Sequence, residues 1–532
     1  MKILSQEDIQ KRFIKQASSK KIKTEDGLHK LKKQFAKEFH IPLPSNFKLQ
    51  DTYKNLLEEG WKGDTELQKL LRKRKIRTLS GVSILTVLMK ANSCPGKCVY
   101  CPSEPQMPKS YLSNEPGAMR AVLEEFDPAR QVKTRIESLT HQGHETDKIE
   151  MIVLGGTFLS YNKKYRTEFI KSLFDACNEE QSESLKEAQQ KNESARHRII
   201  GLSIETRSDS ITKESIKELR NLGVTKIQLG IQHLDQKILD LVQRGETTVQ
   251  MANAIKLLRD SGFKIAIHLM PNLPGSTPKK DLKMIKDCFK NPDFKPDQIK
   301  LYPCVVVPYS KLENWWKEGK YKSYSDQILL ELLEEMQLYV PRYVRIERLY
   351  RDIPGESILE GSRTTNMRQI LEDRAKKDPK MECQCIRCRE IKGESYDKNN
   401  VKLDLIKYKA SDGEELFLSF VDAKDRLCGL LRLRFPSKES QKSHFLPELN
   451  GCALVRELHV YGAQVEVGEN KKGASQHAGL GKRLLKEAES LAKNAGFSRL
   501  AIISGIGVRA YYQKQGYTLR GTYMIKDLIG RL

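Results

Sequence analysis

The sequence predicts an α/β protein: a partial (βα)6 barrel followed by a smaller α+β domain, with a basic helical region in front. Three observations carry this reading. The chain has 532 residues, well past the roughly 250–300 at which one hydrophobic core stops growing, so two or more domains are expected. From about residue 76, short segments that are apolar throughout alternate with helical stretches, the pattern of parallel strands joined by crossover helices. From about residue 401 the pattern changes to a hairpin, a further strand and one long amphipathic helix. The expected division is 1–75 basic and helical, 76–345 partial barrel, 346–400 connector and 401–532 α+β.

In chain order, residues 1–75 carry 19 Lys/Arg against 10 Asp/Glu and end in the run LRKRKIR (71–77). Within them DGLHKLKKQFAKEF (26–39) has helical periodicity. The barrel strands are expected at 82–88, 149–155, 199–205, 226–231, 263–270 and 298–303. The helices between them, such as 211–223 and 248–262, end in glycine, as C-caps do. Six units make an open barrel rather than the closed eight. In the last domain, 416–422 and 427–435 read as a hairpin turning at Ala423–Asp425, and 454–460 as a strand. Residues 479–496 form a helix whose Leu480, Leu484, Leu485, Ala488, Leu491 and Ala492 make one buried face. The segments 499–505 and 517–525 complete the unit.

Lys and Arg number 93 against 69 Asp and Glu, a net charge of +24. Such an excess suits a polyanion, nucleic acid being the usual one, although a basic solvated surface has the same composition. No run of about 18 uncharged apolar residues exists, so no membrane span is expected. MKILSQEDIQKRF lacks the apolar core of a secretory signal, and a soluble, cytoplasmic protein is expected. The eleven cysteines are too few for a disulfide framework in so long a chain. Six of them fall in two clusters, which points to metal.

The first cluster, Cys94-x3-Cys98-x2-Cys101, follows the first barrel strand and so lies on the face where such folds place their chemistry. A structural zinc needs four ligands and a cubane iron–sulfur cluster normally takes four thiolates, so three Cys leave one iron open. A zinc knuckle is the alternative. Polar or glycine-rich motifs end the later strands: Gly155-Gly156-Thr157, Glu205-Thr206-Arg207, Gly230-Ile231-Gln232 and His268-Leu269-Met270. Spacing, position and strand-end motifs together resemble the radical S-adenosylmethionine superfamily. The resemblance implies a 4Fe–4S cluster on Cys94, Cys98 and Cys101, with S-adenosylmethionine bound at its open iron and held by Gly155, Gly156, Glu205 and Gln232.

Gln476-His477-Ala478-Gly479-Leu480-Gly481 is a glycine-rich turn opening a helix, where free N–H groups can receive a pyrophosphate. Alone it is a weak signal, and a dinucleotide fold would need an acidic residue after the next strand, where none stands. With the preceding strand Glu457-Leu458-His459-Val460 and the later Arg509-Ala510-Tyr511-Tyr512, it resembles the GNAT acetyltransferases. In that fold the strand splays from its neighbour to hold pantetheine, and a tyrosine protonates the departing thiolate. Tyr512 is preferred over Tyr511 for that role, since adjacent helix positions face different ways; two core tyrosines are the alternative.

A radical barrel joined to a GNAT unit resembles the catalytic subunits of Elongator. The resemblance rests on CVYCP (98–102), EPGAMRA (115–121), DKIEMIVLGGTF (147–158), RDIPGESI (351–358), RELHVYG (456–462) and the Gln476 turn. It implies carboxymethylation of tRNA wobble uridine at C5, with acetyl-CoA as the carbon donor and the anticodon stem-loop as partner. A homodimer or accessory subunits are left open. It also implies acetyl-CoA contacts at Lys148, Glu457 to Val460, Ser475 to His477, Gly479, Gly481 and Tyr512, with a covering loop at 462–475. Lys300 and Tyr302, at the end of the sixth strand, are candidate pocket residues with Glu457 and Tyr512. The second cluster, Cys383-x-Cys385-x2-Cys388, suits a zinc that staples the connector, with the fourth ligand from elsewhere; free thiols are the alternative. CPSEP after the first cluster departs from the more usual CPGGP. Two competing functions are weighed: a protein lysine acetyltransferase with a structural cluster, using Glu457 as base, and a tRNA-binding scaffold without catalysis.

Overall fold

The computed structural model describes residues 5–71, 81–364, 366–392, 394, 396–397, 400–461 and 479–528. Four helices open the chain: Gln6–Ser19, Glu25–Glu38, Asn46–Glu58 and Thr65–Leu71. The first three start where Ser5, Thr24 and Ser45 accept a backbone N–H, satisfying donors that the first turn leaves free. Their apolar faces close on one another in a core of their own, including Phe13, Phe35, Leu49 and Tyr53. The basic run after Leu71 lies outside the described residues.

The next sheet is parallel throughout and in sequence order: β1 (Ser83–Leu88), β2 (Lys148–Leu154), β3 (Arg198–Thr206), β4 (Lys226–Gln232), β5 (Lys264–Leu269), β6 (Gln298–Leu301) and β7 (Arg345–Arg348). Six strands were expected and seven are found. The sequence Arg-Ile-Glu-Arg of β7 holds one apolar residue, Ile346, which is buried. Its neighbours Arg345 and Glu347 face a polar interior cavity, so no apolar run marks the strand.

The second sheet has the order β13-β14-β12-β11-β10-β9-β8 and is antiparallel except where β11 meets β12. Its strands are β8 (Lys402–Ala410), β9 (Gly413–Val421), β10 (Leu427–Phe435), β11 (Cys452–Val460), β12 (Arg499–Ile502), β13 (Thr518–Arg520) and β14 (Tyr523–Asp527). β8 is an edge strand absent from the sequence reading, with Leu403 and Leu405 exposed between charged residues. The single strand expected at 517–525 is a hairpin that turns at Gly521, whose φ is +58°. The helix Leu480–Asn494 buries Leu480, Leu484, Leu485, Ala488 and Ala492, as its periodicity requires.

The second sheet docks at the N-terminal ends of the barrel strands. The register between β10 and β11 slips at Arg432/Leu433, leaving Arg456 as the extra residue. A bulge lets neighbouring side chains share one face. Arg456 accordingly reaches Asp297 (2.5 and 2.9 Å) and Glu415 (3.0 Å), while Glu457 reaches Lys264 (3.0 Å). Gly505 packs so tightly on β3 that a Cβ would lie closer than 3.0 Å to the Ile200 carbonyl.

Candidate functional site: a cavity through the half-barrel

The Cys94–Cys101 loop leaves the C-terminal end of β1 and covers one mouth of a cavity of about 570 Å³. Cys94 Sγ lies 3.4 Å from Thr157 Oγ1, and Cys98 Sγ lies 3.6 Å from Arg244 Nη1. Burial, then the neighbouring Cys98 sulfur, pushes the Cys101 thiol up to about 12. A bare thiolate is therefore disfavoured here, and a bound cation would supply what the site lacks.

The surroundings of the loop offer both room and donors. Gly155 and Gly156 have φ of +141° and +83°, and a Cβ on Gly156 would stand 2.9 Å from the Lys109 carbonyl oxygen. Only glycine fits that approach. Arg207 is held by Asp209 (3.0 and 2.6 Å) and by Glu246 (3.3 Å). Its Nη1 is nevertheless buried without a partner, 2.5 Å from where a Cβ on Gly96 would be. An orphaned guanidinium nitrogen beside the cysteine loop, with a glycine cradle opposite, fits an anionic or carboxylate-bearing ligand. The donor set thus suits a cluster with an amino-acid-bearing cofactor. Glu205 and Gln232 line the same cavity, with Tyr111 donating to Glu205 at 2.7 Å.

Below this mouth the lumen is polar. Lys300 donates to Gln228 Oε1 and stands 3.8 Å from Glu347. His268 Nε2 lies 3.3 Å from the same amide oxygen, and Tyr302 packs edge-on to the His268 ring at 5.4 Å. Burial and then the Lys300 ammonium hold His268 well below its ordinary value, so its ring is neutral. Lys226 bridges Glu347 (2.6 Å) and Glu150 (3.4 Å). Burial opposes ionisation of Glu347, but Lys226 and Lys300 outweigh it and hold the carboxyl below the usual range.

The structure thus brings together Cys94, Cys98, Cys101, Gly156, Glu205, Gln232, Lys300 and Tyr302 around one cavity. Gly155 adjoins it at the end of β2. Lys148 stands elsewhere, at the start of β2, 3.8 Å from Asp147 and paired with Arg198 of β3. Glu457 is clamped by Lys264 (3.0 Å) and Arg432 (2.8 Å). Burial works against its charge, yet those two cations keep the carboxyl well below the usual range. So held, it is a poor proton acceptor, which counts against the base that the competing lysine acetyltransferase reading would need.

β11 pairs with β12 only as far as Val455–Ile502, so Arg456 to Val460, including Leu458 and His459, have open backbone on that side. This is the splay expected of the strand. Ser475, Gln476, His477 and the covering loop lie outside the described residues. Gly479 takes φ +69°, and it is the Tyr511 hydroxyl that approaches Gly481, 3.0 Å from where a Cβ would be. Tyr512 instead is 7 % exposed and packs edge-on to Tyr517, so the preference between the two tyrosines is reversed. The cysteine loop and the open edge of β11 lie at opposite ends of the barrel strands, and among the described residues the cavity is lined by those of the barrel and its connector alone. Arg345 lines the cavity and its Nη1 is 3.4 Å from the Tyr461 hydroxyl, one residue beyond β11.

Cys383, Cys385 and Cys388 have sulfurs that all lie within 4.8 Å of one another, Cys385 and Cys388 at 3.7 Å. Thiolates around one tetrahedral zinc stand about 3.8 Å apart, given Zn–S bonds of about 2.3 Å. Sequence reasoning named Arg207 only within its strand-end motif and missed Arg244, Gln228 and Glu347, each a single polar residue outside any contiguous motif. Among the described residues no helix is long and apolar enough to cross a membrane.

Comparison with known proteins agrees with this geometry. The radical SAM superfamily matches residues 88–288 and the radical SAM C-terminal domain residues 296–377; a radical SAM domain implies a 4Fe–4S cluster and S-adenosylmethionine. The chain is 44% identical over 470 residues to a tRNA uridine(34) acetyltransferase of Dehalococcoides mccartyi, covering 86% of this chain and 100% of that one. It is 38% identical over 483 residues to human Elongator complex protein 3, covering 87% of each. A solved structure of archaeal Methanocaldococcus infernus Elp3 lacking residues 1–46 superposes with a TM-score of 0.74 at 39% identity, over 85% of this chain and 100% of that one.

Proposed function

Because the chain belongs to the family of tRNA uridine(34) acetyltransferases and Elongator complex protein 3, we propose that it carboxymethylates the wobble uridine of tRNA at C5, with acetyl-CoA as the carbon donor. The observation that supports the reading is the polar cavity under the cysteine loop, whose lining residue Arg345 reaches Tyr461 beside the open edge of β11. A lysine acetyltransferase has no use for the cysteine-loop cavity and would need a base, a role for which Glu457, clamped by Lys264 and Arg432, is poorly suited.

When bound at Cys94, Cys98 and Cys101, the cluster with S-adenosylmethionine supplies a 5′-deoxyadenosyl radical. The chain's residues do the rest. Gly155 and Gly156 admit the cofactor's backbone-binding end, and Arg207 with Glu205 and Gln232 orients it. The Lys300 ammonium and the Tyr302 hydroxyl are donors suited to uracil carbonyls. The open backbone of Glu457 to Val460 and the turn from Ser475 to Gly481 receive the pantetheine and pyrophosphate, with Lys148 as a further contact. Tyr511, whose hydroxyl approaches the Gly481 turn, protonates the departing thiolate, with the buried Tyr512 packed beside it. Zinc at Cys383, Cys385 and Cys388 fastens the connector, and the basic helices of residues 1–75 extend the surface for the anticodon stem-loop.

The test is anaerobic reconstitution with tRNA, acetyl-CoA and S-adenosylmethionine, followed by nucleoside mass spectrometry. Carboxymethyluridine is expected, and Cys98→Ala should lose it while keeping tRNA binding. Unmodified tRNA alongside acetylated protein would overturn the reading.

A further inference from the structure

The lining of the cavity carries ten basic side chains against four acidic ones. Most of its arginines are neutralised at close range. Arg345 pairs with Glu390 (2.7 Å), Arg348 with Asp352 (2.6 Å), Arg351 with Glu115 (2.8 Å) and Arg207 with Asp209 (2.6 Å); Arg244 pairs with Glu246. Arg387 differs. Its Nη1 donates to a backbone carbonyl, that of Glu347, at 3.4 Å. Among the described residues no carboxylate lies within 4.0 Å of its guanidinium.

Arg387 is the third residue of the Cys385-Ile-Arg-Cys388 turn. The turn is tied to the barrel by Ile386 N–H donating to the Val344 carbonyl at 2.9 Å. Arg368 comes to the same place from the helix Met367–Lys377, donating to the carbonyl of Ile346 at 3.2 Å. Two guanidiniums thus hang from consecutive carbonyls of β7, close enough to repel. Such a pair is at rest when an anion sits between them, and the planar fork of arginine matches a phosphate's oxygens.

We propose that the Cys383–Cys388 turn is an RNA-contacting element that carries Arg387, with Arg368 beside it, to the cavity wall as a clamp for one backbone phosphate next to the reacting nucleotide. The proposal rests on the reading of tRNA as substrate. A base can reach the cysteine loop only if its nucleotide is drawn out of the strand, which brings the flanking phosphates to the cavity wall. Arg387 and Arg368 are then positioning residues, and the metal turn acts on the substrate as well as on the fold.

The test is fluorescence anisotropy of transcribed tRNA bound to the reconstituted full chain at several potassium chloride concentrations. The variants are Arg387→Gln, Arg368→Gln, the double variant and, as a control on the outer face of the barrel, Lys283→Gln. Each single arginine variant should weaken binding about tenfold and lower the salt slope by about 0.7, one single-strand phosphate. The double variant should lower the slope no further, because both arginines serve one phosphate. Arg387→Lys should keep the slope and lose part of the affinity. Bound zinc and the melting temperature should stay at wild-type values in all of these, while Cys388→Ser should lose metal and RNA affinity together. Arginine variants that bind tRNA like the Lys283→Gln control would overturn the proposal. So would a loss of coenzyme A binding with tRNA binding intact, which would assign the pair to the cofactor. A wild-type chain that binds no tRNA would instead sink the reading of the substrate.

Discussion

Arg456→Met removes the centre of the contact between the two sheets and leaves the shape nearly unchanged. The Arg456 side chain is fully buried and donates to Asp297 at 2.5 and 2.9 Å, to Glu415 at 3.0 and 3.1 Å and to the Phe263 carbonyl at 2.7 Å. Without it, Asp297 keeps the Ile265 N–H at 2.8 Å and Arg432 at 3.5 Å, and Glu415 keeps Arg434 at 3.1 Å and Arg259 at 3.9 Å. Breaking a buried pair by deleting one partner costs about 3–5 kcal/mol, because the other charge stays buried. The loss should appear as local opening, so hydrogen–deuterium exchange is the appropriate assay. At 1.36 kcal/mol per factor of ten, the amides of β5, β6 and β11 should exchange about 10²–10⁴ times faster. Amides of the first four helices, which have a separate core, should not change. An acceleration below tenfold at β6 and β11 would refute the view that this pair holds the modules together.

Two further outcomes follow from the same interior. Stability should fall in two stages on acidification. His268, His444 and His459 are held below their ordinary value, first by burial, so their contribution is complete above about pH 6.5 and is lost as pH falls through their folded values. Asp297, Glu347 and Glu457 are also depressed, because their cations outweigh burial; their contribution is complete above about pH 4 and is lost below it. A melting temperature that stays flat from pH 7 to pH 4 would contradict the first stage. Gly505→Ala, where the added Cβ meets the Ile200 carbonyl, should cost about 1–3 kcal/mol and lower the melting temperature by several degrees; an unchanged melting curve would show that β3 and the Gly505 loop are not in such close contact.

What was legible in the sequence was what is contiguous in it. The cysteine loop, the glycine pair and the strand-end motifs each occupy a few adjacent residues, and their positions after apolar strands fixed the face on which they meet. The interior was legible only at the strand ends carrying His268, Lys300 and Tyr302, and its assembly was not. Gln228, His268, Lys300 and Glu347 come one each from β4, β5, β6 and β7, and only strand register brings them together. β7 and β8 escaped detection for a related reason: both carry charges where an apolar run was sought. Tyr511 and Tyr512 sit on a helix of five residues, too short for periodicity to say which faces the Gly481 turn. The division at Gly521 needed a positive φ that one glycine among thirty-three does not announce.

The charged lumen bears on why the two modules share one chain. A buried ion network is weak evidence for stability, since apolar side chains of similar volume often serve as well. Lys226, Glu347 and Glu150 could therefore be replaced by a packed hydrophobic plug without harm to the fold as such. A plug would close the half-barrel between the cysteine loop and the open edge of β11. Paired charges fill the same space differently: each can exchange its partner for a phosphate, a base carbonyl or water at moderate cost. The second sheet supplies countercharges to the barrel, with Glu457 reaching Lys264, Arg456 reaching Asp297 and Arg434 reaching Asp260. The charges at the N-terminal ends of the barrel strands are thus balanced in part by the sheet docked beneath them, and it is this exchange of charge that ties the two modules together.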